Sequence, residues 1–62
     1  MKLSENLEFR VNQYLQSREF LWDRESINEF RQFYRENIGG EFGSSPDCWR
    51  RAINLVNERA KQ

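Results

Sequence analysis

Ser45-Pro46-Asp47 is the feature that most constrains what this chain can fold into. A serine hydroxyl at an N-cap accepts a hydrogen bond from an orphan backbone N–H of the first helical turn. Proline at the first helical position gives up an N–H that would have no partner there, and its φ is already helical. Asp47 adds a negative charge against the positive end of the helix dipole. Trp49, Ile53, Val56 and Ala60 then recur at helical spacing, with Ala52 and Leu55 widening the stripe. Arg50, Asn54, Asn57 and Lys61 line the opposite face. The pattern predicts a helix over about 46–60, with an apolar stripe that the rest of the chain must cover.

The preceding residues supply two more helices. Leu7, Val11, Tyr14 and Leu15 make one face after Ser4, and Leu21 and Trp22 prolong it. This predicts a first helix over about 4–21, with a turn near Ser17 as the other option. Asp23 as N-cap would set Trp22 and Ile27 at the two positions of a hydrophobic staple, while Ser26 with Glu29 offers a competing capping box. Either start leads into Ile27, Phe30, Phe33, Tyr34 and Ile38, a second helix over about 24–38. Gly39-Gly40 closes it, because glycine takes the left-handed conformation that ends helices. Residues 39–45 are left as a structured loop with Phe42 pinning it to the core. The predicted fold class is all-α: a small three-helix bundle, one domain over 1–62. Its core should gather Leu7, Val11, Phe30, Tyr34, Trp49, Ile53 and Val56 in one cluster.

Composition sets the terms of that core. A 62-residue chain buries only about 60% of the surface it exposes unfolded. Here 37% of residues are hydrophobic and the mean hydropathy is −1.00, so apolar material is scarce. Aromatics, at 15%, compensate, since each ring buries about 150–250 Å². Small domains also draw on disulfides, a structural metal or self-association. One cysteine makes no internal disulfide, and without histidine a zinc site lacks ligands, so self-association is the supplement left open. The lone cysteine, and polar residues directly after Met1-Lys2-Leu3 in place of an apolar leader, lead us to expect a cytoplasmic protein with no membrane segment.

The same residues bear on function. With no histidine for acid–base work and too short a chain to enclose a substrate cavity, we expect no enzyme, no cofactor, no metal and no small-molecule substrate. Cys48 reads as a half-buried hydrophobe, since Asp47 beside it should oppose a thiolate. The glycine-bearing loop before residue 46 lacks the lysine of a phosphate-binding loop, and turn and capping chemistry account for it. What remains is a surplus of large apolar side chains, Phe9, Phe20, Leu21, Trp22, Phe42 and Trp49, some of which must lie partly exposed; Phe9, Phe20, Trp22 and Phe42 are the candidates for partner binding. The expected function is a non-catalytic protein-interaction module, a regulator or adaptor working as a homodimer or docked on a larger protein.

The alternative is a small helix-turn-helix-like DNA-binding domain reading a major groove with Arg50, Arg51, Asn54, Asn57 and Lys61. Net charge is zero and the isoelectric point is near 6.2, which opposes binding driven by bulk electrostatics. Residues 46–62 nevertheless carry four basic and two acidic side chains, against six and eight in residues 1–45. The stretch between Ile38 and Ser45 is also longer than the usual turn of that motif.

Overall fold

In a computed structural model of the chain, which describes residues 2–61, three helices pack into one globule with no strand among the described residues. The helices are α1 (Glu5–Ser17), α2 (Arg24–Asn37) and α3 (Pro46–Ala60). Each starts at a side-chain cap: the backbone N–H groups of Leu7, Ser26 and Cys48 donate to Ser4 Oγ, Asp23 Oδ1 and Ser45 Oγ, each over 3.2 Å. Asp23, not Ser26, therefore opens α2. Gly39 and Gly40, with φ of 99° and 75°, turn the chain out of it. The radius of gyration, 10.5 Å, matches the roughly 10.6 Å of a compact chain this long, so no element stands off the body. Among the described residues no helix is long and apolar enough to cross a membrane.

The core holds Leu3, Leu7, Val11, Tyr14, Trp22, Phe30, Trp49, Ala52, Ile53 and Val56, with Tyr34 packed against it half-buried. At its centre is a knot of rings. Trp49 meets Phe20 and Phe42 at 4.9 Å between centroids, Phe30 at 5.5 Å and Trp22 at 5.9 Å. All these pairs are tilted or T-shaped, the arrangements that the aromatic quadrupole favours. One ring on α3 thus joins the α1–α2 connection, α2 and the loop before α3.

α1 stops at Ser17, four residues before the predicted end. The Ser17 hydroxyl turns back to donate to Gln13 O, and Arg18 flips to φ 63° with its N–H donating to Tyr14 O. A left-handed arginine is unfavourable by about 1–2 kcal/mol. The reversal carries Phe20 and Trp22 back onto Trp49, stacked on each other at 5.4 Å and 13°. Arg10 fastens the corner, donating from Nη1 to Leu21 O and placing Nη2 3.8 Å from the Asp23 carboxylate.

A polar seam sets α1 against α2. Ser4 Oγ donates to Glu29 Oε2 over 2.6 Å, and Asn6 Nδ2 donates to Glu29 Oε1 and to the buried Ser26 Oγ. Ser26 and Glu29, readable as a local capping box, are thus used between helices.

Two stability outcomes follow from this packing. Trp49→Ala should be largely unfolded by circular dichroism at room temperature, because truncating a buried aromatic costs about 3–5 kcal/mol, as much as a core this small supplies. A cooperative melt close to that of the parent protein would show that the ring knot is not the centre of the fold. Arg18→Gly should raise stability by about 1 kcal/mol in a urea melt, since glycine adopts φ 63° without the Cβ penalty. An unchanged or lower midpoint would mean that the left-handed residue is not strained.

Candidate apolar surface

Of the four residues singled out for partner binding, the structure leaves two on the surface. Phe9 is 62% exposed on the side of α1 away from the core, and Phe20 is 39% exposed. Trp22 is a core ring, 9% exposed and edge-on to Phe30 at 5.3 Å. Phe42 is half-buried, held T-shaped against Tyr34, Phe30 and Trp49. Trp22 is thereby corrected as a partner-binding candidate, since its ring is spent on the core, while Phe42 pins its loop to the core as the sequence indicates and has little ring left for a partner. Leu21, not singled out, is instead 64% exposed, because the reversal at Arg18 that buries Trp22 turns its neighbour outward.

Phe20 has a second role. With Tyr14, Arg18, Ser44, Pro46 and Trp49 it lines a surface groove of about 230 Å³ between the end of α1 and the start of α3. Its walls are mostly ring faces, and Arg18 and Ser44 supply the polar groups. Phe20 is not paired with Phe9; its ring neighbours are Tyr14, Trp22 and Trp49. No signal in the sequence indicates this groove, since it depends on where α1 ends.

The polar residues of α3 divide. Arg50, Asn54 and Lys61 are exposed along one line, with Arg50 Nη2 3.3 Å from Asp47 Oδ1 on the preceding turn. Asn57 is half-buried and, with Lys61, borders a groove shared with Leu3, Glu8 and Asn12. Arg51 is exposed but lies about 100° around the helix from Arg50, beside Cys48 and Leu55. The five residues therefore do not make a single strip.

Cys48 is half-buried, as expected of a small hydrophobe at this position. Its thiol behaves differently from the sequence reading. The Ser45 hydroxyl, opposed by partial burial and aided by the Gly43 backbone and the Arg51 charge, holds its pKa below the ordinary value. Asp47 points its carboxylate at Arg50 and does not cancel the effect. A Cβ at Gly43 would sit 3.2 Å from Cys48 Sγ, close enough that the thiol would have to shift by a few tenths of an ångström.

No known family model matches the chain, and neither a curated protein nor a solved structure shows significant similarity to it.

Proposed function

We propose that this chain is a non-catalytic protein-interaction module, a small cytoplasmic regulator or adaptor that works as a homodimer or docked on a larger protein. The observation that carries the reading is the exposure of Phe9 and Leu21 in a molecule otherwise short of apolar material. A chain that draws nearly all its rings into one knot gains nothing for its own stability from a phenylalanine on the outer side of α1. Burying such a ring against a partner removes about 150–250 Å² from water. The groove beside Phe20 adds concave, ring-lined surface next to the exposed residues of the connection.

The test is self-association. Sedimentation over a wide concentration range should show a dimer, with a melting temperature that rises with protein concentration. The double variant Phe9→Ser, Leu21→Ser should remain folded, because both side chains are exposed, and should sediment as a monomer with a constant melting temperature. A parent protein that stays monomeric throughout removes the homodimer and leaves docking on a different protein as the form of the proposal.

The DNA-binding alternative draws support from the exposure of Arg50, Arg51, Asn54 and Lys61. Against it stand the Arg50–Asp47 pair and the acidic side chains of residues 1–45. We expect no appreciable binding to random duplex even at low salt. Salt-sensitive binding that Arg50→Ala and Arg51→Ala abolish without unfolding the protein would install the alternative, because phosphate contacts weaken steeply as salt rises.

A further inference from the structure

Arg31 is a cation held by aromatic rings, with no acidic partner among the described residues. Its guanidinium carbon lies 5.0 Å from the centroid of Phe42 and 5.1 Å from that of Trp49, so two rings of the central knot hold it in place. Among the described residues the ion pairs are Arg10–Asp23, Arg35–Glu41 and Arg50–Asp47, and Arg31 takes part in none of them. One turn further along α2 is Arg35. Two arginines four residues apart repel each other. Glu41 answers only one of them, accepting from Arg35 Nη2 over 3.3 Å with both side chains largely exposed.

These groups border one hollow. Arg31, Tyr34, Arg35, Gly40, Glu41 and Phe42 line a surface pocket of about 80 Å³. At about 30 Å³ per water, this is room for two or three waters or one carboxyl group. Two guanidinium groups against one carboxylate leave the pocket with one positive charge to spare. A guanidinium held over two rings loses little further freedom when its N–H groups bind a ligand. Tyr34 brings a phenol to the same wall.

We propose that this pocket is a binding site for a carboxylate, supplied by an acidic side chain of a peptide or protein partner, which Arg31 grips with Arg35 and which Glu41 opposes. The net charge matches a monoanion. A phosphate dianion is the poorer match, since Glu41 stays in the pocket and repels it. Glu41 itself shows that the pocket accepts carboxylate chemistry, and by occupying Arg35 it acts as an internal competitor. The proposal does not depend on the apolar surface around Phe9 and Leu21.

The experiment follows the Arg31 Nε–Hε resonance in the full chain during titration with three probes: an acetylated tetraglutamate amide, its tetraglutamine counterpart and inorganic phosphate. The expected result is a saturable shift with tetraglutamate, none with tetraglutamine and a weaker response to phosphate. Arg31→Gln should weaken tetraglutamate binding about tenfold, as loss of a charge-assisted fork does. Arg59→Gln, on exposed α3 surface away from the pocket, should leave it unchanged. Glu41→Gln should strengthen binding several-fold by removing the competitor. If Arg31→Gln fails to fold, Glu41→Gln decides alone, because Glu41 is exposed and its loss leaves the core intact. Unchanged affinity in Glu41→Gln, an equal loss in Arg59→Gln, or tighter binding of phosphate than of tetraglutamate would each overturn the proposal.

Discussion

Tilted and edge-to-face packing of aromatic rings around Trp49 is the interaction on which the other parts of this structure depend. Aliphatic cores gain by filling volume with many side chains, and a chain this short has few to offer. Rings gain area in large pieces and add a directional term of about 0.5–1.5 kcal/mol per well-placed pair. That direction matters here because the segments around Trp49 are of different kinds. α2 contributes Phe30 from a regular helix, while Phe20, Trp22 and Phe42 come from irregular backbone. The knot therefore fixes the path of both connections as well as the positions of the helices.

Polar groups do a complementary job at the other seam. Between α1 and α2 the contact includes Ser4, Asn6, Ser26 and Glu29, whose hydrogen bonds specify register where apolar packing alone would tolerate sliding. Ser26 is small enough to be buried at this crossing, and Asn6 satisfies its hydroxyl there. Hydrogen bonding from Ser26, first its hydroxyl and then its backbone N–H, with the Arg10 charge beyond, also holds the Asp23 carboxyl below its ordinary pKa. The start of α2, the end of the connection and the flank of α1 are thus coupled through one short run of side chains.

What was legible in the sequence is what local chemistry decides. Ser4, Asp23 and Ser45 cap their helices because an N-cap needs only its own next three residues. The stripe of Trp49, Ile53 and Val56 faces inward because helical periodicity is local too. The end of α1 was legible only as one of two options, a turn near Ser17 or a run to residue 21, and the structure takes the first. Nothing between Ser17 and Leu21 breaks a helix by itself, and the stop arises from Phe20 and Trp22 reaching a ring almost thirty residues away. The same cause put Trp22 among the partner-binding candidates and left Leu21 out of them. Counting large side chains against a small interior says that some are left over, but which ones depends on the ring geometry. Arg31 was equally hidden, because its partners lie eleven and eighteen residues downstream.

Building a core from rings also changes what the surface can do. An aliphatic core ends abruptly at its outermost methyl groups. A ring knot presents faces and edges at its boundary, and polar groups can use them. Arg31 rests on the outer sides of Phe42 and Trp49, and Phe20 continues the knot into the groove toward Pro46 and Ser44. The residue that organises the interior therefore lines the groove beside Phe20 and lies behind Phe42 and Arg31 at the other pocket. A ligand at either one would contact Trp49 directly or through a single intervening side chain. Binding would then stabilise the part of the molecule on which its marginal fold depends, so that recognition and folding draw on the same contacts.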